Sequence, residues 1–119
     1  MKKVRLEIEE VENLFKCKYA YFSDFEVVDN IKEETGKTIV EIDDPDEPFY
    51  KGRAIISVHD SSSGKKEVFC IDNPTTRMTV SFFDIFLSSF NGETEHTFFD
   101  GLENDESKGS NYFNIITCK

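Results

Sequence analysis

Two histidines (His59, His96), three cysteines (Cys17, Cys70, Cys118) and 24 aspartates and glutamates are the side chains of this 119-residue chain that could do chemistry. A structural zinc site takes about four His or Cys ligands from clustered positions, and the five candidates here are scattered, with no C-x-x-C pair. A cysteine nucleophile needs a base within reach. Cys70 and His59 are candidates, but the hairpin expected below sets His59 opposite Lys66 and Cys70 opposite Ile55, too far apart to work together. Ser61, Ser62 and Ser63 directly follow His59 and Asp60. Residues adjacent in sequence rarely converge as a triad, and nothing here resembles a nucleophile elbow, so this run reads as a polar hairpin tip. The glycines at 36, 52, 64, 92, 101 and 109 are too dispersed to form a phosphate-cradling loop. Carboxylate pairs are abundant, but acid/base work requires one of them to be desolvated, and most lie in polar runs. Asp43, Asp44, Asp46 and Glu47, or Asp100, Glu103, Asp105 and Glu106, offer hard oxygen ligands to calcium, without EF-hand spacing or its central glycine. The expectation is a chain that binds rather than catalyses, with no catalytic residue, no metal and no cofactor.

The elements that must position these residues fit one domain, spanning residues 1–119, since a chain of this length supports a single core. The apolar share is modest, 38%, but twelve Phe and four Tyr make that core aromatic-rich. Val4, Leu6 and Ile8 alternate with Arg5, Glu7 and Glu9, as in a strand with one wet face. From Glu10 to Phe22 a helical face (Val11, Leu14, Phe15, Tyr19, Phe22) competes with strand alternation (Phe15, Cys17, Tyr19, Tyr21), and a short helical turn leading into a strand reconciles them. Residues 25–31 and 38–43 read as adjacent antiparallel strands, with 32–37 as the hairpin loop. Residues 43–48, with two prolines among acids, read as an exposed loop.

Ala54, Ile56 and Val58 alternate on one side of the Ser61–Gly64 loop, and Phe69 and Ile71 on the other; pairing Ser57 with Val68 puts all five on one face. Phe82, Phe83, Phe86, Leu87 and Phe90 share a helical face opposite Ser81, Asp84 and Ser88. Ser81 with Asp84 reads as a capping pair, and Asn91-Gly92 as the carboxyl-terminal cap. Residues 96–99 and 112–117 read as strands joined by a polar loop over 101–110. The class is α+β and β-rich, a mainly antiparallel sheet of about seven strands with one or two short helices.

The net charge is −10, which repels phosphate backbones and anionic lipid and so disfavours nucleic acid and membrane as direct partners. Lys2, Lys3 and Arg5 lead into alternating residues rather than an apolar run, unlike a signal peptide, and no segment approaches transmembrane length. The odd, unpaired cysteines read as reduced thiols of a cytoplasmic protein, with a disulfide between two of them left open. The charge is segregated. Residues 1–47 carry 14 acids against 7 bases, 48–91 carry 4 against 5, and 92–119 carry 6 against 2. If the two acidic ends meet, they make a face suited to a basic partner, such as the groove of a nuclease, with carboxylates standing where phosphates would bind. Asp43, Asp44, Asp46 and Glu47 with the aromatic anchors Phe49 and Tyr50 form the first candidate contact, and Glu103, Asp105 and Glu106 the second. The competing reading of the same acids is a solvated surface that keeps a small aromatic-rich protein in solution.

In size, acidity and lack of motifs the chain resembles the small acidic immunity proteins that bacteria pair with secreted nuclease toxins, including those of contact-dependent inhibition systems. That family shares no short signature, so no residue role transfers by motif. The resemblance implies a monomeric or dimeric cytosolic inhibitor that binds its toxin tightly. The alternatives are a secretion chaperone or adaptor, which would bind through apolar grooves, and a nucleic-acid mimic that blocks a host enzyme.

Overall fold

The computed structural model describes residues 2–22, 26–90 and 94–118. Strand β1 (Lys3–Glu7) turns directly into helix α1 (Ile8–Phe15), where the Glu7 N–H donates to the Glu10 carboxylate at 3.2 Å. Ile8, expected as the end of the strand, is therefore the first helical residue. Helix α1 buries Val11 and Phe15 and ends at Lys16, whose φ of 50° is left-handed. After it comes strand β2 (Tyr21–Phe22), so the helix-then-strand reading of this stretch is the observed one.

Strands β3 (Glu26–Val27) and β4 (Ile39–Asp43) pair antiparallel, as expected, but the first does not run on to residue 31 and the segment between them is not a hairpin loop. It is helix α2 (Asp29–Thr35), closed by Gly36 at φ 71°. Helix α2 buries none of its residues, so the sequence carried no apolar stripe by which to recognise it. Strand β4 also pairs with β1, giving a three-stranded sheet in the order β1-β4-β3 that turns Val40 and Ile42 into the core.

Strands β5 (Arg53–His59) and β6 (Lys66–Asp72) form the expected hairpin, with Ser57 opposite Val68, His59 opposite Lys66 and Ile55 opposite Cys70. Ala54, Ile56 and Val58 are buried, and Phe69 and Ile71 pack against the same core. Helix α3 (Thr76–Ser88) begins five residues before the expected Ser81, because Thr75 supplies the cap by accepting the Met78 N–H at 3.2 Å. Thr79, Val80, Phe83, Phe86 and Leu87 form its buried face, and Phe82 stacks on Phe69 with ring centres 4.5 Å apart. The Asn91-Gly92 cap lies outside the described residues.

Strands β7 (Phe98–Asn104) and β8 (Tyr112–Cys118) complete a five-stranded sheet in the order β2-β7-β8-β5-β6. The pairs β2/β7 and β5/β8 are parallel and the others antiparallel, so the α+β, β-rich class is as expected but the larger sheet is mixed, and the helices number three among the described residues. Strand β7 runs well into the expected 101–110 loop: after a register shift between Phe99 and Gly101, Leu102 faces Ile115 and Glu103 faces Asn114.

Candidate protein-binding surface

Among the described residues, three of the four acids of the first candidate group bond within the chain through their carboxylates, Asp43 being the exception. Asp43, exposed at the end of β4, has Lys3 as its register partner. The Asp44 N–H donates to the Lys2 carbonyl at 2.8 Å, while Oδ1 of Asp44 accepts the Asp46 N–H at 3.0 Å, the side-chain-to-backbone bond of an Asx turn. Oε2 of Glu47 accepts the Lys2 N–H at 3.2 Å. Asp46 forks with Arg77 of α3, at 2.6 Å to Nε and 3.1 Å to Nη2, and this guanidinium bond holds the Asp46 carboxyl below its ordinary range. Arg77 also donates to the Leu14 carbonyl at 2.8 Å, at the electronegative end of α1. The segment was expected to be an exposed loop. Asp43, Asp46 and Pro48 are exposed, as expected, but the segment is also docked: Pro45 is buried, its carbonyl accepts the Arg77 N–H at 3.0 Å, and Pro48 bridges to Thr75. Phe49 and Tyr50 are half-buried, edge-on to Phe113 with ring centres at 5.1 and 5.9 Å.

The second group sits on the β7–β8 hairpin. Glu103 is a strand residue, exposed and opposite Asn114. Asp105 is half-buried at the turn, where it accepts the Ser107 hydroxyl at 2.5 Å and lies 3.8 Å from Lys108. The Ser107 bond leads, with Asn114 and Lys108 adding to it, in holding the Asp105 carboxyl low. Glu106 is exposed at the tip. Among the described residues, neither the Glu103 nor the Glu106 carboxylate takes a hydrogen bond or ion pair. The link between the two groups is Phe113, touched by Phe49 and Tyr50 and paired across the strands with Asn104, between Glu103 and Asp105. It joins the aromatics of the first group to the strand carrying the second.

Several charged residues that sequence reasoning passed over hold the structure together. Asp84, expected to cap its own helix, instead accepts three N–H groups from the segment after α1: Tyr19 at 2.7 Å and Ala20 at 2.9 Å on Oδ1, and Lys18 at 3.1 Å on Oδ2. Asp60, only 3% exposed, accepts the Ser63 hydroxyl at 2.6 Å, the Ser63 N–H at 3.1 Å and the Thr94 hydroxyl at 2.9 Å. Burial pushes its carboxyl up, and these bonds together outweigh burial to hold it below its ordinary range. A third cluster lies on the opposite face of the large sheet from α3. There Ser57 donates to Asn114, and its bond to the Tyr112 hydroxyl is the main reason that phenol sits below its usual range, with Lys108 and Lys66 assisting.

Ser61 does meet a histidine, but it is His96, 35 residues away, at 3.2 Å, rather than the adjacent His59. The neighbouring carboxylate, Asp60, is committed to Ser63 and Thr94. A cleft of about 300 Å³ is lined by Glu12, Cys17, Ala20, Tyr21, Phe22 and Phe98. Burial, followed by the Asp84 charge, pushes the Cys17 thiol up to about 12, which keeps it protonated and a poor nucleophile. All three cysteines are unbridged. Among the described residues no group of three His, Cys, Asp or Glu is placed to hold a metal ion, and no helix is long and apolar enough to cross a membrane. No protein-family model, curated protein sequence or solved structure matches the chain.

Proposed function

We propose that the chain is an acidic protein-binding inhibitor that engages a basic, nuclease-type protein, in the manner of a toxin-immunity protein. The observation that supports this reading is the segregated charge of a chain with net charge −10, together with exposed carboxylates that the fold does not use. Glu103 and Glu106 project from the β7–β8 hairpin, Glu12 is exposed on α1, and Glu33 and Glu34 are exposed on α2. A carboxylate without an internal partner keeps its field available to an approaching cation, which accelerates encounter and rejects uncharged partners. The Asp43–Glu47 loop contributes field from a rigid base, because its acids are held in place by Lys2 and Arg77. Phe49 and Tyr50, packed on Phe113, support that region more than they project from it.

The secretion-adaptor alternative draws on a different observation. Tyr21, Val68 and Ile116 are exposed apolar residues on strands of the five-stranded sheet, and an adaptor would bind there through apolar contact that salt does not weaken.

The deciding experiment captures partners with the tagged chain from lysate at low salt, releases them at moderate salt, and assays the released protein for nucleic-acid cleavage with and without the chain. A basic protein whose cleavage activity the chain suppresses is the expected result. A captured protein that is not basic, or one whose activity the chain leaves intact, overturns it.

A further inference from the structure

Among the described residues the sheets end in four edges, and three of them are protected. Strands β2 and β3 are two residues long, and β1 carries Lys3, Arg5 and Glu7 on its solvent face. Short or charged edges of this kind discourage pairing with another chain. The fourth edge, β6, has seven residues in unbroken register with β5, contains no proline, and among the described residues has no strand on its outer side. Its middle, Val68-Phe69-Cys70-Ile71, is apolar, and Val68 is 50% exposed. Its ends carry opposite charges, Lys66 and Asp72, both exposed and on the same face of the sheet as Val68 and Cys70.

This pattern is self-complementary. When β6 runs antiparallel to a second copy of itself about Phe69, Lys66 faces Asp72 at both ends, and Val68 faces Cys70 between them. The other face matches Phe69 with its own copy and Ile71 with the aliphatic stem of Glu67. One oxygen of Asp72 accepts Arg53 Nε at 3.2 Å, and among the described residues the other is open to the opposing lysine. A two-fold contact needs such a self-matching patch, and opposite charges directly across two strands stabilise their pairing. We infer that two copies of this chain associate edge to edge through β6, joining their five-stranded sheets into one ten-stranded sheet with Lys66–Asp72 pairs at either end of the seam.

The test measures self-association by sedimentation velocity over a range of concentrations for the parent chain, Lys66→Asp, Asp72→Lys, an equimolar mixture of the two, and Val68→Lys. Each charge variant alone sets like charges across the seam, whereas in the mixture every end pair again joins an acid to a base. The expected result is a concentration-dependent dimer for the parent, a dissociation constant raised about tenfold or more in each single variant, and recovery of most of that loss in the mixture. Val68→Lys, which places a charge mid-edge, is expected to be monomeric while keeping the parent's circular dichroism. Melting curves of the charge variants separate a lost contact from a lost fold. A parent that is monomeric throughout, a dimer indifferent to Val68→Lys, or a mixture no tighter than its components overturns the inference; a monomeric parent with an open edge would instead leave β6 to a strand of another protein.

Discussion

Asp84 and Glu106 carry the same functional group, yet one is spent on the fold and the other is not. At the junction between α3 and the segment after α1, the Asp84 carboxylate satisfies three N–H groups that leave a helix with no strand yet to pair with. At the β7–β8 turn, the Glu106 carboxylate faces solvent. The Asp43–Glu47 loop lies between these extremes, acidic in sequence but tied to Lys2 and Arg77 in space. Net charge therefore says little about what a carboxylate does. The backbone donors and guanidinium groups around it decide whether its field holds the chain together or reaches a partner.

The largest expected effect comes from removing the internal acceptor. Asp84→Ala leaves three N–H groups without their partner and should cost about 2–3 kcal/mol in urea denaturation, with Asp84→Asn costing less because one oxygen remains to accept. A variant as stable as the parent would remove the distinction drawn between the junction and the turn. Asp60→Ala should cost about 1–2 kcal/mol by releasing the Ser63 and Thr94 donors.

Acid should sort the same carboxylates. Asp46, Asp60 and Asp105 have folded pKa values below the ordinary range. Their contribution is therefore complete above the unfolded carboxylate value of about 4 and is lost as pH falls through the lower folded values. Denaturation midpoints measured downward from pH 7 should hold roughly level until about pH 5 and then decline, and Asp60→Asn should make that decline shallower. A decline that begins near neutrality would point to a histidine instead.

A smaller gain is expected at Lys16, whose left-handed backbone closes α1 and turns the chain toward Asp84. Lys16→Gly relieves the side-chain penalty of that conformation and should stabilise by up to about 1 kcal/mol. The smallest change in stability, within about 0.5 kcal/mol, is expected for Glu103→Lys with Glu106→Lys, since neither carboxylate supports the fold. The same pair of substitutions should slow association with a basic partner and reduce its salt dependence. A large loss of stability in this double variant would show that the turn is structural after all.

The parts of the fold readable from sequence share one property, a local periodicity imposed by burial. The β5–β6 register followed from Ala54, Ile56 and Val58 facing Phe69 and Ile71 across a short polar tip, because a slip of one residue would turn Phe69 and Ile71 to the face opposite the other three. The buried face of α3 followed from the spacing of Phe83, Phe86 and Leu87. The reading failed where periodicity had nothing to report. Helix α2 buries none of its residues, so its charges looked like loop. The start of α3 was set by the Thr75 hydroxyl rather than by an apolar residue. Of the candidate surface, the acidic segments were legible as composition, but the commitment of Asp46 to Arg77 was not, since 31 residues separate them.

By itself, then, the sequence determined the class, the best hairpin, the buried helix face and the segregation of charge, all of which depend on which residues leave water and at what spacing. Only the tertiary structure decided that Asp84 holds Lys18 to Ala20 from more than 60 residues away, that Ser61 meets His96 rather than His59, and that β6 is left at an open edge. Those outcomes depend on the path by which distant segments are brought together, and a hydrogen bond or a sheet edge leaves no periodic trace in the residues that form it.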